Sequence, residues 1–580
     1  MSYIEKWGIL TNIIHIKGGG KWFKNIMKHI EEIAPLAHDL EKWNSNLFQM
    51  KKSPYSPQRC CNYCQYCNEC NHSKNILTTA IPSMHEINII ENKRNYVGID
   101  TARNQLHEAM INALSDRDNS IHIIKAPTGL GKTQEYINCM KLSAKPFIIA
   151  VPTNKLKLEV FNRCINAGIT DIVFTPEIPS EIGENNINKL KTFYTKGDIH
   201  GYSKFLKILE SEYPCMLQYK KNLQMTLTSK GHIITTHIRL INDMFGDDIL
   251  SSHEIIIDED IIKNILVTTK IPKKSLKNII FNGNTTLSEL LKTYYIPANS
   301  VMSSVCLKPM KINEKIPPTE YSELVKTADI NFNINDLLSA DAAYISGDYI
   351  YYAVIRKIPD KKLIIMSATA SDFVYKNLLK DRTIKLHNIG NVHYKGKVIQ
   401  YHNKSYSRNY ISSNTEIFDR VKRYHKGYNL ITFLKYSSVT DELHFGNTEG
   451  KDTFDNKDLL IIGTPFQDEA VYKLLAVSMG FDCNEINKSR LNHRTVDVNE
   501  YKFTFFTYDY DPLKEIQLYI ISSELEHAVG RARLLNNKNT VYVYSCMPVS
   551  QAEFHEIDPL LTDKADKKDT PKECDSFEEE

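Results

Sequence analysis

A glycine-rich stretch, APTGLGKT, is the first part of the sequence whose residue types suggest chemistry. It follows the apolar run IHII and precedes KTQEYINCMKL, which has the composition of a helix. Glycines let a backbone turn closely enough for its N–H groups to point at phosphate oxygens, and a helix N-terminus adds partial positive charge. Lys132 would then reach the terminal phosphates, and the Thr133 hydroxyl would hold Mg²⁺. The predicted nucleotide-binding residues of this loop are Ala126, Pro127, Thr128, Gly129, Leu130, Gly131, Lys132 and Thr133.

A group of acidic residues follows a second apolar run, in HEIIIDEDII. If the run is a strand, its carboxylates lie at the carboxyl edge of a sheet, where ligands bind in open α/β folds. Asp258 is suited to hold Mg²⁺ and Glu259 to orient or deprotonate an attacking water. Taken alone, the stretch also fits a strand followed by a solvated acidic turn.

A dense cysteine segment, RCCNYCQYCNECNH, is the third candidate. Thiols at this density in a reducing compartment usually bind metal. Cys61, Cys64, Cys67 and Cys70 recur every third residue, as in an iron–sulfur run, whereas Cys60, Cys64, Cys70 and His72 would suit tetrahedral zinc. Zinc is favoured because a histidine follows closely and the proline typical of an iron–sulfur run is absent. Unmetallated thiols are the third alternative.

Length and composition limit the classes of protein. The chain has 580 residues, of which 42% are hydrophobic and 24% charged, with a net charge of +3. These values predict two to four globular domains. They exclude a strong positive charge over the whole chain, so that any surface that binds nucleic acid must be a local basic patch. No apolar run approaches the roughly 18–20 residues of a membrane span. The first residues lack the basic stretch followed by an apolar stretch that is typical of a signal peptide. We expect a cytoplasmic protein without membrane association.

Short β-rich runs alternate with stretches long enough for helices, which predicts parallel sheets flanked by helices. The first set comprises IHII, FIIAV, DIVF, HIITT, EIIID and KLIIM, and the second KVIQY, NLITF, LLIIG, KFTFF and TVYVY. The predicted domains are an N-terminal cysteine-rich region at 1–98, a first domain at 99–388, a second at 389–551 and a charged, disordered tail at 552–580. A mostly helical insertion is expected at about 265–350.

The order of these stretches resembles that of superfamily 2 helicases of the DEAD/DEAH-box type, over roughly residues 100–550. APTGLGKT is similar to motif I, DEDI to motif II and MSATA to motif III, whose Ser367, Ala368 and Thr369 would couple the nucleotide site to the strand site. The resemblance implies an α/β fold of two tandem RecA-like P-loop domains beside a small N-terminal cysteine-rich helical region. It also implies an adenine contact by Gln105 and nucleic-acid contacts by Pro152, Thr153, Asn154, Thr235, Thr236, His237 and Thr432.

The second half adds two further motifs. NTEGKDTFDNKDLLIIGTPF resembles motif V of the DinG-like branch, which implies nucleotide contacts by Gly450 and Asp452. ELEHAVGRARLL resembles motif VI, which implies nucleotide contacts by His527 and Gly530 and an arginine finger at Arg531. The second arginine of the motif normally lies three residues after the first, but Leu534 occupies that place. Arg533 stands one residue before that place, and the resemblance implies it as the catalytic partner of Arg531.

These resemblances imply an ATP hydrolase that uses ATP and Mg²⁺ to move on, or unwind, nucleic acid, with DNA favoured over RNA as partner. Lys132, Asp258, Glu259, Arg531 and Arg533 are the expected catalytic residues. Two alternatives stay open: a nucleic-acid-stimulated clamp or remodeller that does not unwind, and the motor half of a mobile-element replication or defence complex, with a protein partner.

Overall fold

The computed structural model describes residues 2–16, 18–33, 40–52, 58–66, 87–90, 95–242, 244–282, 291, 304–309, 316–438, 443–448 and 457–555. The chain divides into two compact units. One comprises Met1–Ile89 with Lys502–Phe505, and the other comprises Ile90–Tyr501 with Phe506–Glu580. Within the described ranges, no helix combines the length and apolar character needed to cross a lipid bilayer.

The N-terminal unit is mainly helical in its described part. It contains α1 (Tyr3–Ile13), α2 (Gly19–Ile33), α3 (Leu40–Lys52), a 3-10 turn at Cys60–Asn62 and a short strand, β1 (Ile87–Ile89). Helix α1 starts with a capping box, in which the Ser2 hydroxyl accepts from the Glu5 N–H and the Glu5 carboxylate accepts from the Ser2 N–H. Leu10, Phe23 and Trp43 form its buried core.

The larger unit begins with a seven-stranded sheet, which we call with its helices the first lobe (residues 95–388). Its elements are α4 (Ile99–Ser115), β2 (Ile121–Lys125), α5 (Lys132–Leu142), β3 (Phe147–Val151), α6 (Asn154–Asn166), β4 (Ile172–Phe174), α7 (Glu184–Thr195), α8 (Ile199–Glu212), α9 (Pro214–Leu227), β5 (His232–Thr236), α10 (His237–Ile241), α11 (Asp247–Ser252), β6 (Glu254–Asp258) and α12 (Ile262–Ile265). The lobe resumes after an insertion with β11 (Leu363–Ser367), α16 (Asp372–Leu378) and β12 (Ile384–Asn388).

All pairings in this sheet are parallel, in the order β12-β2-β11-β6-β3-β5-β4. The central strands are runs of isoleucine and other apolar residues, and β3 and β6 are buried along their whole length. Such continuous apolar runs are typical of parallel strands covered by helices on both faces. Because all strands point the same way, the polar residues that follow them meet at one edge of the sheet.

The insertion between β6 and β11 differs from the prediction of a mostly helical segment. It contains β7 (Leu266–Pro272), α13 (Lys273–Asn282), β8 (Ser304–Leu307), α14 (Pro318–Thr327), α15 (Ile334–Leu338), β9 (Ala342–Ser346) and β10 (Tyr349–Ile355). Its strands form an antiparallel sheet in the order β7-β10-β9-β8. The physical reason lies in AAYIS and YIYYAVI, whose β-branched and aromatic residues favour strands and flank a turn at Gly347.

A five-stranded parallel sheet and its helices form what we call the second lobe (residues 389–555, apart from 502–505). Its elements are β13 (Lys397–Tyr401), α17 (Arg408–Ser413), α18 (Thr415–Tyr424), β14 (Asn429–Ile431), β15 (Leu459–Ile462), α19 (Glu469–Ser478), α20 (Cys483–Lys488), β16 (Leu491–Val498), β17 (Tyr501–Tyr508), α21 (Asp511–Gly530), β18 (Thr540–Tyr544) and β19 (Ala552–His555). The strand order is β14-β15-β18-β13-β19, with every pairing parallel.

The two parallel sheets, each covered by helices, confirm the predicted α/β fold class of two tandem RecA-like lobes. Two details differ from the sequence prediction. The run KFTFF lies in β17, which is not one of the five parallel strands, and the predicted tail begins too early because Ala552–His555 pairs with β13. The predicted disorder of the tail falls on residues 556–580, outside the described residues. The other domain boundaries stay predictions.

Candidate nucleotide site

The glycine-rich loop joins β2 to α5, as the sequence pattern requires. Gly131 is the N-cap of α5 and has a φ of 112°, a conformation in which any other residue would be strained. Lys132 is the first residue of the helix and is buried. Its Nζ donates to the Ala126 carbonyl oxygen at 3.5 Å and lies 3.9 Å from Glu259 Oε1. The lysine therefore places its charge between the loop and the acidic edge of the sheet.

The acidic residues stand at the end of β6, one strand away from the loop through β11. In the register of the sheet Asp258 lies opposite Met366, and the Glu259 N–H donates to the Met366 carbonyl oxygen at 2.9 Å. Glu259 has a φ of 77°, which is uncommon for a residue with a side chain and marks a position held by its surroundings. The turn after β6 thus orients the carboxylates of Asp258 and Glu259 differently.

Tyr136 is a site residue that the sequence analysis did not identify. It lies one turn after Lys132 on α5 and is fully buried, and burial raises the pKa of its phenol well above the usual value. The hydroxyl consequently keeps its proton and donates to Asp258 Oδ2 at 3.0 Å. The signal was present in the sequence, since residues four apart on a helix share a face.

The two carboxylates have opposite pKa shifts. Burial raises the pKa of Asp258, and the negative charge of Glu259 adds to the rise, while Lys132 opposes it. Burial also acts against ionisation of Glu259, but the positive charges of Lys132 and Arg531 outweigh it and lower the pKa of that carboxyl. Glu259 is therefore ionised at neutral pH. Its Oε2 is buried and has no hydrogen-bond partner among the described residues.

The second lobe reaches this site through the last turns of α21. His527 is buried; its Nε2 lies 3.0 Å from the Thr369 hydroxyl and 3.9 Å from Glu259 Oε2. A Cβ added to Gly530 would lie only 2.9 Å from Thr128 Cγ2, so that only glycine permits this approach to the loop. Thr369 lies two residues after the end of β11, so the contact of this predicted coupling residue with His527 bridges the two lobes. Ser367, which is buried, accepts the Thr369 N–H at 3.2 Å.

A cavity of about 150 Å³ brings these groups together. The first lobe lines it with the loop and the acidic residues, and the second lobe with the end of α21. The lining residues are Thr128, Gly129, Gly131, Lys132, Thr133, Leu156, Glu159, Arg163, Asp258, Glu259, Gly530, Arg531 and Arg533. Arg531 is 9% exposed, and its Nε donates to the His527 carbonyl oxygen at 3.3 Å. Arg163 on α6, absent from the sequence prediction, adds a cation from the first lobe.

Gln105 lines a neighbouring cavity of about 620 Å³. Its side-chain oxygen accepts from the Gly390 N–H at 2.9 Å, which joins α4 to the connection between the lobes. The same cavity is lined by Ala126, Pro127, Ala368 and Thr369. The structure thus places Gln105 beside the start of the loop, and its predicted adenine contact stays a prediction.

The seven predicted nucleic-acid contacts fall into two groups. Pro152, Thr153, Asn154 and Thr236 lie at least partly exposed just after or at the ends of β3 and β5. Thr235, His237 and Thr432 are fully buried, which differs from the prediction.

Internal partners explain this burial. The Thr235 hydroxyl pairs with Thr175 at 3.2 Å, His237 Nε2 lies 2.9 Å from the Asp258 carbonyl oxygen, and Thr432 donates to the Ile462 carbonyl oxygen at 2.7 Å. These three side chains hold the ends of strands rather than face a strand of nucleic acid.

Several predicted residues lie outside the described part of the chain. They are Gly450 and Asp452 of the motif V stretch, and Cys67, Cys70 and His72 of the cysteine segment. Cys60 is buried, Cys64 is half-buried and Cys61 is exposed. Among the described residues, no group of three or more histidine, cysteine, aspartate or glutamate side chains is arranged to hold a metal ion.

Glu524 is a second residue that the sequence analysis did not identify. It is buried on α21, where its carboxylate accepts from the Gly446 N–H at 2.6 Å and the Thr448 hydroxyl at 3.2 Å. Lys263 of the first lobe lies 2.8 Å away. Burial acts against ionisation, but the Lys263 charge and the Gly446 N–H outweigh it and lower the pKa of Glu524. This carboxylate fixes the start of the predicted motif V segment to α21.

Comparisons with known proteins find remote structural similarity to solved structures. No family model matches the sequence, and no curated protein is significantly similar to it. The solved structure of S. tokodaii Xpd4 shares 13% identity over 79% of this chain and 100% of that chain, with a TM-score of 0.44. S. cerevisiae Dbp5 bound to RNA and ADP BeF3 shares 9% identity over 78% of this chain and 89% of that chain, with a TM-score of 0.31. At these identities and TM-scores the similarity is remote.

Proposed function

We propose that the chain is a nucleic-acid-dependent ATPase of the superfamily 2 helicase or translocase type. One observation carries the proposal: Lys132, Asp258 and Glu259 of the first lobe line the same cavity as Arg531 of the second. A phosphate loop alone would support nucleotide binding. An arginine supplied by the other lobe supports hydrolysis that depends on the arrangement of the two lobes.

The cavity suits the phosphates of ATP and a magnesium ion. The loop and the start of α5 present backbone N–H groups and partial positive charge, which favour phosphate. Asp258 and the Thr133 hydroxyl supply the oxygen ligands that Mg²⁺ prefers. Glu259 Oε2 is buried without a hydrogen-bond partner among the described residues, and a polar group bound there would satisfy it. The chemistry that Mg²⁺ would supply there is neutralisation of phosphate charge, which would favour attack by water.

The protein groups around this cavity have separable tasks. Glu259, whose pKa is lowered, can accept a proton from an attacking water. Lys132 and Arg531 stabilise negative charge that develops on the transferring phosphoryl group. His527, beside Thr369 and near Glu259, links the end of α21 to the acidic turn. The groups of α21 act only while the two lobes are close, so nucleotide binding favours closure and hydrolysis releases it.

Movement on nucleic acid requires that this closure changes the grip on a strand. Pro152, Thr153, Asn154 and Thr236 are the first-lobe candidates, because they remain partly exposed near the ends of β3 and β5. Hydroxyls and backbone N–H groups suit contacts to the phosphate backbone that ignore base sequence. We propose DNA as the favoured substrate and a DinG-like branch for the second lobe, both on the resemblance of the motif V stretch.

The test is ATP hydrolysis by the full chain with single-stranded DNA, duplex DNA or RNA added at matched nucleotide concentration. We expect hydrolysis to rise at least severalfold with single-stranded DNA and less with the others. Glu259→Gln serves as the control for contaminating ATPases, because it keeps the shape of the site and removes the proton acceptor. Wild-type hydrolysis no greater than that of Glu259→Gln would contradict the proposal.

A strand-displacement assay with both overhang polarities separates the variants of this proposal. Displacement with one polarity supports a helicase. ATP hydrolysis stimulated by nucleic acid without displacement supports the clamp or remodeller instead. A protein partner from a replication or defence complex, the third alternative, would be recovered by pull-down with the full chain.

Zinc at the cysteine segment is proposed from the sequence alone. Its candidate ligands are Cys60, Cys61 and Cys64, together with three residues outside the described ranges. Metal analysis with an absorption spectrum of the purified chain tests it. Stoichiometric zinc without visible absorption supports the proposal. Stoichiometric iron with a broad visible absorption band supports an iron–sulfur cluster instead.

A further inference from the structure

Asp260, the residue after Glu259, connects the acidic turn to both lobes. It is 7% exposed. Its Oδ1 accepts from the Tyr375 hydroxyl at 2.8 Å and from the Ile262 N–H at 3.0 Å. Its Oδ2 accepts from the Tyr519 hydroxyl. Tyr375 belongs to α16 of the first lobe, whereas Tyr519 belongs to α21 of the second, so one buried carboxylate holds donors from both sides of the cleft.

These contacts matter because Asp260 directly follows Glu259 in the acidic turn. The preceding residue, Glu259, has the uncommon φ of 77°, which persists only where the surrounding contacts fix the backbone. Tyr375 also accepts the Ile261 N–H at 3.2 Å, so the chain after Glu259 is anchored by two successive residues. Tyr519 lies on the same helix as His527 and Arg531. The carboxylate thus joins the turn that carries Glu259 to the helix that carries the cross-lobe groups.

The two tyrosines differ in what happens when the lobes separate. The contact of Tyr375 lies within the first lobe and is kept in any arrangement of the lobes. The contact of Tyr519 exists only when α21 lies against the acidic turn. Hydrogen bonds to a buried carboxylate are among the stronger ones in proteins, and loss of one partner leaves the carboxylate poorly satisfied. The Tyr519 contact therefore favours the closed cleft.

We propose that Asp260 is a positioning residue and that its contact with Tyr519 stabilises the closed cleft, which sets the apparent affinity for ATP without a part in the chemical step. The inference rests on the proposed ATPase function. A ligand that binds the closed arrangement binds more weakly when that arrangement is less populated. Removal of the Tyr519 hydroxyl should therefore raise the KM for ATP and leave kcat at saturation nearly unchanged.

The experiment compares Tyr519→Phe with Tyr375→Phe in the full chain. Each variant removes one hydroxyl from the same carboxylate and keeps the ring. We expect Tyr519→Phe to raise the KM for ATP roughly tenfold, with kcat within about twofold of wild type. Tyr375→Phe should leave the KM within about twofold and lower kcat, because the turn that carries Glu259 loosens. Tyr519 is half-buried, so its substitution is compatible with folding, which a melting curve checks.

A second variant guards against a merely structural effect. Asp260→Asn keeps the shape of the side chain and loses its charge, so its contact with Tyr519 weakens. The KM should rise in the same direction but less, and the KM of the double variant Asp260→Asn/Tyr519→Phe should resemble that of Tyr519→Phe alone.

Two results would overturn the inference while the proposed function stands. One is an active wild type with an unchanged KM in Tyr519→Phe, and the other is an equal KM increase in Tyr519→Phe and Tyr375→Phe. A wild type that hydrolyses no ATP removes the proposed function and the inference together, so the two failures are distinguishable.

Discussion

The two lobes contribute to the shared cavity in different ways. The first lobe supplies the phosphate loop, Asp258 and Glu259 of the acidic turn, and Glu159 and Arg163 of α6. The residues of the second lobe that line the cavity are Gly530 at the end of α21 and Arg531 and Arg533 just after it. One lobe thus offers a binding site fixed by its own sheet, and the other offers groups that act only when it is near.

This difference separates binding from turnover. In the proposed ATPase, contacts within the first lobe exist whether the cleft is open or closed, and they would stabilise bound ATP and its transition state together. Contacts of Arg531 with the phosphates would depend on closure and contribute mainly to the transition state. Loss of a first-lobe group that only binds the phosphates should therefore raise the KM for ATP, and loss of Arg531 should lower kcat.

The largest effect is expected for Lys132→Ala. We expect kcat/KM for ATP hydrolysis to fall by about 10⁴ or more, because both phosphate binding and charge stabilisation depend on this lysine. Hydrolysis rates and the binding of a fluorescent ATP analogue measure both effects. Lys141→Ala, an exposed lysine of the same helix, is the matched control and should behave as wild type. Normal turnover in Lys132→Ala would refute the site.

Arg531→Ala tests the second lobe and should have the next largest effect. We expect kcat to fall by about a thousandfold while the affinity for ATP stays within about threefold, as for an arginine finger. Arg163→Ala provides the comparison from the first lobe, because Arg163 lines the same cavity without crossing the cleft. Its removal should raise the KM for ATP. Equal effects of the two arginines on kcat would mean that the lobes do not divide binding from turnover.

The sequence predicted the parts of this site that depend on local pattern. The strand and loop around Lys132, the acidic turn at Asp258 and the arginine at Arg531 follow from apolar runs that end in polar residues. The parallel sheets follow from the same alternation. The burial of individual side chains was harder to predict from the sequence. The same pattern places a threonine at a strand end whether it is partly exposed, like Thr236, or fully buried, like Thr235.

Contacts between distant segments were out of reach of the sequence. The hydrogen bond between Asp260 and Tyr519 joins residues 259 positions apart, and the link between Lys263 and Glu524 is of the same kind. The insertion differs from its prediction for another reason. The helical pattern around α13 does not continue into the segments that form β9 and β10. Tyr136 differs from these cases, because its helical spacing from Lys132 made it predictable.

Tyr136→Phe sharpens the account of the first lobe. The hydroxyl orients Asp258 through one hydrogen bond, and removal of a group that orients a metal ligand typically weakens metal binding. We expect the Mg²⁺ concentration for half-maximal hydrolysis to rise about tenfold, with little change in kcat at saturating Mg²⁺. Tyr352→Phe is the control, since its buried hydroxyl donates to the Asn333 carbonyl oxygen in the insertion. An unchanged Mg²⁺ requirement in Tyr136→Phe would mean that its hydroxyl only fills space.

The smallest effect concerns stability and comes from Asp258. Because its pKa in the folded chain is raised above the ordinary value, the folded state binds a proton more readily than the unfolded state. Ionised Asp258 therefore costs stability in full above its folded pKa of about 6, and the cost shrinks as the pH falls below that value towards the ordinary pKa of an unfolded aspartate. Without Mg²⁺, Asp258→Asn should melt about 1–3 °C above wild type at pH 8. The gap should close towards pH 5.

Addition of Mg²⁺ with ATP at pH 8 should reverse this order. A cation held by ionised Asp258 stabilises the wild type by mass action, whereas asparagine offers it no charge. Thermal melting of both proteins at two pH values, with and without Mg²⁺ and ATP, gives all the necessary comparisons. A wild type more stable than Asp258→Asn at pH 8 without Mg²⁺ would mean that Lys132 and Tyr136 already compensate the charge, and the first lobe would then be built for stability rather than held ready for a cation.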